Sequence, residues 1–117
     1  MSEFVDHLET VFALFGPVKA RRMFGGYGIY HDALMFGLVA EDELYLKTDE
    51  KSVRAFTELG LPPFEYEKRG KKTKMSYYLA PAVIYDDPEQ AKVWADRAFE
   101  AALRARKPKR KGRITKR

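Results

Sequence analysis

The stretch RMFGGYGIYHDALMFGLVAEDELYLKT, residues 22–48, decides the fold. Its first run, Arg22 to Tyr30, carries Met23, Phe24, Tyr27, Ile29 and Tyr30 around three glycines. The second, Ala33 to Ala40, is apolar almost throughout, as a largely covered strand would be. The third, Glu43 to Thr48, sets Leu44 and Leu46 against Tyr45 and Lys47, the two-residue period of a strand with one buried face. The breaks at His31-Asp32 and Glu41-Asp42 are short enough for tight hairpins. Three antiparallel strands in a meander are predicted.

A helix precedes them. Phe4, Leu8, Val11, Phe12 and Phe15 recur at i, i+4, i+7, i+8 and i+11, one face of an α-helix. Ser2 caps it, Glu3 and Asp6 suit its positive end, and Gly16-Pro17 stops it. After the meander, Asp49 opens a second helix with Val53, Phe56 and Leu59 inward, ended by Gly60 and Pro62-Pro63. Phe64 and Tyr66 alternate with Glu65 and Glu67, and Met75, Tyr77 and Leu79 form a matching strand across the basic link KRGKKT. Asp87-Pro88-Glu89-Gln90 starts a last helix, whose buried stripe is Ala91, Trp94, Ala95, Ala98 and Ala102. The order is αβββαββα: a two-layer α+β domain, its antiparallel sheet covered by helices mainly on one face.

At 117 residues, 45% hydrophobic and 14% aromatic, the chain can build one core. It has no cysteine, which excludes disulfides, thiolate zinc sites and a cysteine nucleophile. The acidic, amphipathic N-terminus is unlike a signal peptide, and no run reaches the roughly 20 apolar residues of a membrane span. A cytoplasmic protein without membrane attachment is expected. The net charge of +5 is uneven: of 22 Lys and Arg, nine fall within residues 104–117, where there is no acid, while all 17 acids lie earlier. Residues 1–103 are therefore read as the folded domain and 104–117 as a basic tail, disordered when free.

The candidate chemistries are few. GGYG at 25–28 lacks the third glycine of a dinucleotide fingerprint and the Gly-Lys-Ser/Thr of a P-loop, so its glycines are read as a bulge or close packing within a strand. His7 and His31 have no metal-ligand spacing and are expected in solvent. Glu65 and Glu67 read as a solvated strand face, and Asp86-Asp87 as a helix cap. No catalytic residue, metal site or cofactor is expected. Two surfaces remain. Lys68, Arg69, Lys71, Lys72 and Lys74 of the 68–74 hairpin, with Arg104, Arg106, Lys107, Lys109, Arg110 and Lys111 of the tail, form a candidate nucleic-acid contact through released counterions. Tyr27, Tyr45 and Tyr78, expected to face away from the helices, form a candidate protein interface, a homodimer included.

As a set, RRMFGGYGIY (21–30), LMFGLVAEDELYLKTD (34–49), the helix ending at Gly60, FEYEK (64–68) and MSYYLAP (75–81) resemble the TfoX N-terminal domain family, from about Phe4 to Leu103. The resemblance implies the two-layer fold read above and a role near transcription of competence genes, beside the cyclic-AMP receptor protein. It brings no catalytic residues, and the family's full-length regulators carry a further C-terminal domain. The resulting expectation is a non-enzymatic interaction domain, a transcriptional co-regulator working through protein partners. The alternative is a nucleic-acid-binding protein using the basic hairpin and tail.

Overall fold

The computed structural model describes residues 2–23 and 25–114, the side chains of Lys68 and of 107–114 excepted. Helix α1 (Glu3–Val11) is followed by strands β1 (Lys19–Met23), β2 (Gly26–His31), β3 (Leu34–Ala40) and β4 (Glu43–Lys47). Then come α2 (Val53–Thr57), the hairpin β5 (Pro63–Lys68) and β6 (Lys71–Leu79), a 3-10 turn (Ala82–Tyr85) and α3 (Pro88–Ile114). The six strands form one antiparallel sheet in the order β1-β2-β3-β4-β6-β5. The α+β class stands, with one strand more than the sequence reading gave. The first run, taken as a single strand, folds back on itself at Gly25, whose φ of +78° only glycine adopts cheaply. Gly26 next to it allows close packing: a Cβ there would run into the Val39 carbonyl oxygen.

Three two-residue connections in the sheet have positive φ at both residues: Asp32-Ala33, Glu41-Asp42 and Arg69-Gly70. That is the requirement of the hairpin turns whose twist matches the strands. Between β2 and β3 the register passes from Ile29↔Gly37 to Tyr30↔Met35, leaving Phe36 as a bulged residue. The bulge sends Phe36 into the core and Met35 to the opposite side of the sheet.

All three helices cover one face. Phe12, Phe36, Phe56, Leu8, Ile29, Leu44, Leu46 and Ile84 are the largest fully buried side chains. Phe12 packs edge-on against Phe36, and Phe56 of α2 against Trp94 of α3. The alanine stripe of α3 is buried as expected, and lets the helix lie close to β3 and β4. The caps are also as expected. Ser2 Oγ accepts from Val5 N, and Asp87 Oδ1 accepts from Glu89 N and Gln90 N. Asp49 and Ser52 cap each other's backbone N–H before α2. Leu59, expected inward, is 58% exposed, because α2 ends at Thr57 before a third inward turn can form.

The boundary expected after Leu103 falls inside α3. Arg104 donates from Nε to Asp49 Oδ2 at 2.6 Å and from an Nη to Oδ1 at 3.0 Å. This two-pronged pair fastens the helix to the start of α2. It holds the Asp49 carboxyl down at about 2, the hydrogen bonds from Arg104 being the main cause. Arg104 is thus part of the folded unit rather than of a free tail. Ala101, Ala102 and Ala105 around it favour helix and offer no reason to stop.

Candidate interaction surface

The sheet face away from the helices is built by the same two-residue alternation that fills the core. Where Ile29, Val39, Leu44 and Leu46 point to the helices, Tyr30, Leu38, Tyr45 and Lys47 point the other way. Cross-strand register sets them in rows: Lys19 beside Tyr30 and Met35, Lys47 beside Tyr77, and Tyr45 between Leu38 and Leu79. Gly28 keeps the middle of the face low, since a Cβ there would meet Met23, Tyr30 and Met35 at about 3 Å.

The β5–β6 hairpin bends across this face, and a hollow of about 370 Å³ lies between them. It is lined by Met23, Tyr27, Met35 and Leu38 from the meander and by Phe64, Tyr66, Glu67, Met75 and Tyr77 from the hairpin. Phe64 packs edge-on against Tyr45 and stacks with Tyr66. Burial raises the Tyr77 phenol to about 12, with Tyr30 adding to the effect, so it stays a neutral donor at every physiological pH. Tyr45 is raised too, by burial first and then by Glu43 and Glu41.

Cations frame the hollow on one side. The Arg21 guanidinium lies 5.4 Å from the centre of the Tyr30 ring, and the Lys47 ammonium 5.2 Å from that of Tyr77. Lys47 also donates to Ser76 Oγ at 2.9 Å, and burial lowers its pKa although Asp49 partly offsets this. At the other end of the face stand Glu41, Asp42 and Glu43, all exposed.

Of the three tyrosines expected on this face, Tyr45 lies on it and Tyr27 borders the hollow, while Tyr78 turns to the helices. Tyr78 pairs with the buried Leu46 and leans on Phe56 of α2; Tyr27 packs against the core and also lines the hollow. Tyr78 lies one residue from an open-face position, and the strand period carries it to the helix side. The residues missed were Tyr30, three positions after Tyr27, and Tyr77, next to Tyr78. The signal was the pairing of Tyr77 with Met75, both on one strand face.

His31 is another correction. Expected in solvent, its side chain is 17% exposed, set against Phe15 and Phe99, with Nδ1 2.7 Å from the Pro17 carbonyl oxygen. The turn after it bends the ring back over α1's end instead of outward. His7 is exposed, as are Glu65 and Glu67. No group of three or more His, Asp or Glu side chains fit to hold a metal occurs among the described residues.

The basic hairpin is exposed at Arg69, Lys71, Lys72 and Lys74, yet Lys72 lies opposite Glu67 and Lys74 opposite Glu65. Its charge is partly answered from within. Arg106 is exposed; the side chains of Lys68, Lys107, Lys109, Arg110 and Lys111 lie outside the described residues.

A sequence model of the TfoX N-terminal domain matches residues 10–102, from the end of α1 to the buried part of α3. The chain belongs to the TfoX N-terminal domain family. Among curated relatives, the DNA transformation protein TfoX1 of Aliivibrio fischeri is 32% identical over 63% of this chain and 37% of its own length. The DNA transformation protein TfoX of Haemophilus influenzae is 30% identical over 64% of this chain and 37% of its own. Protein Sxy of Escherichia coli is 25% identical over 79% and 44%. None of the three names is an enzyme's. The chain spans less than half the length of these relatives. Among the described residues, no helix of this TfoX N-terminal domain is long and apolar enough to cross a membrane.

Proposed function

We propose that this TfoX N-terminal domain is a non-catalytic regulatory module that acts by holding a protein partner on the open face of its sheet. One observation carries the reading: the helices cover only one face, while the other presents a methionine- and tyrosine-lined hollow that no described residue fills. Methionine adapts its shape to a guest, and tyrosine adds area with little entropy to lose, which is the composition of protein-binding surfaces. Among the described residues lining the hollow, Glu67 is the one acid, and Tyr77 stays a neutral phenol, a poor set for moving protons. The relatives' names tie such a module to DNA transformation, consistent with a co-regulator of competence genes.

Affinity capture from native lysate, with and without nuclease, tests this. Capture that survives nuclease and is lost in the Met23→Asp variant supports a protein partner. Capture that nuclease abolishes would move the reading to nucleic acid, through Arg69 and Lys71 at the hairpin tip. In that case affinity should fall with salt, with a log–log slope near 0.7–0.9 per phosphate neutralised. Truncation after Arg106, which leaves the Arg104–Asp49 pair intact, should then flatten that slope.

A further inference from the structure

From the charge around the hollow we infer its occupant: an acidic, amphipathic peptide segment of a partner protein, apolar side chains beneath the hairpin and carboxylates on the cationic rim. This rests on the protein-partner reading above and makes it specific.

Lys19, Arg21 and Lys47 stand on the open face around Tyr30 and Tyr77. Among the described residues none of the three has a carboxylate within ion-pair distance. Three other described cations pair with carboxylates, Arg54 with Glu58, Lys92 with Asp96 and Arg104 with Asp49, while those of the β5–β6 hairpin tip stay in solvent. Asp32, which borders the same concavity as Lys19, Arg21 and Tyr30, lies with its carboxylate 3.6 Å from the ring of His31. Lys47 is half-buried, and its lowered pKa means that its charge lacks full solvation. An incoming carboxylate would supply what water does not.

The hollow beside this rim is of a size at the lower end for ligand pockets and is walled mostly by apolar atoms. It therefore takes apolar side chains, and the rim takes acids within a few ångströms of them. A nucleic acid suits the rim less well as a whole guest. Glu41, Asp42 and Glu43 close the far end of the face, and Tyr77 is only 7% exposed, leaving little ring for a base to stack on.

The chain's own methionines make the test direct. Met23, Met35 and Met75 line the hollow, and the fourth methionine is Met1. The full chain carrying 13C-methyl methionine is titrated with a short fluorescein-labelled peptide of Leu, Phe and Glu, with its counterpart having Lys for each Glu, and with a single-stranded oligonucleotide. Anisotropy is read in parallel. The acidic peptide should move the three hollow methyl signals and leave Met1 in place. Lys19→Glu with Arg21→Glu, both exposed and so harmless to the fold as checked by thermal melting, should weaken it on the order of tenfold. The basic peptide should bind the double variant better than the wild type.

Equal binding of acidic and basic peptides would overturn the inference, as would shifts produced by the oligonucleotide alone. Shifts that appear on concentrating the protein without peptide would overturn it in favour of a second copy. If neither peptide moves the methionines but nuclease-resistant capture is still lost in Met23→Asp, the protein-partner reading stands and only the acidic occupant falls.

Discussion

The two faces of one sheet are made from the same strands and hold different kinds of side chain. Toward the helices lie rigid branched and aromatic groups: Phe36, Leu44 and Leu46 are all 0% exposed, and Phe56 of α2 seals them from above at 0% as well. On the other side lie methionines and tyrosines, mostly half-buried and bordered by cations. A core that must be unique uses side chains with few rotamers; a surface that must receive a guest uses ones that adapt. The bulge at Phe36 is where the two demands separate, since it hands a phenylalanine to the core and a methionine to the hollow within two residues.

The largest expected effect tests that contrast directly. Phe56→Ala should cost about 3–5 kcal/mol in urea unfolding, because it empties a fully buried site. Met35→Ala on the other face should cost only about 1 kcal/mol, since it is half-buried and opens into the hollow. Equal costs would mean the open face is part of the core.

The next test concerns the fastening of the helix layer. With its pKa held at about 2, below the ordinary 3.8, Asp49 stabilises the fold above that ordinary value. The contribution is lost as pH falls from about 4 toward about 2. Its size is about 1–2 kcal/mol, discounted because the Arg104 guanidinium still faces solvent. Asp49→Asn keeps a capping oxygen and removes the charge. The stability gap between wild type and this variant should therefore close as acid is added; a gap constant from pH 6 to 2 would show that the charge contributes nothing.

The smallest effect lies at a turn shared by both faces. Ala33 sits at φ +63°, and glycine there relieves the strain of the Cβ at some cost in chain entropy. Ala33→Gly should raise stability by about 0.5–1 kcal/mol while leaving the methionine signals of the hollow where they are. A shift in those signals would show that the turn sets the shape of the open face.

Most of the fold was legible because its signals are local. Ser2, Asp49 and Asp87 as caps, the alanine stripe of α3 and the hairpin breaks follow from residues a few positions apart. The additional strand was not, because a glycine pair inside an apolar run is compatible with either a bulge or a reversal, and only the φ of Gly25 separates them. The site was harder. Placing Tyr78 on the open face is a one-residue error of phase, and in a strand such an error inverts the face. The hollow itself depends on the hairpin crossing the sheet, a long-range event that no spacing within β5 or β6 reports. His31 and Arg104 were misplaced for the same reason: their partners, Phe99 and Asp49, are distant in sequence.

The outermost strands of the sheet carry a further consequence. On one side is β1, spelled Lys-Ala-Arg-Arg-Met, and on the other β5, which opens with Pro63 and carries Glu65 and Glu67. A neighbouring molecule that tried to add its own strand to β1 would have to lay it along a row of like charges, and at β5 it would meet a residue with no N–H to give. Sheet growth from molecule to molecule is blocked at both rims, so the protein can leave a broad apolar face uncovered without turning into a fibre.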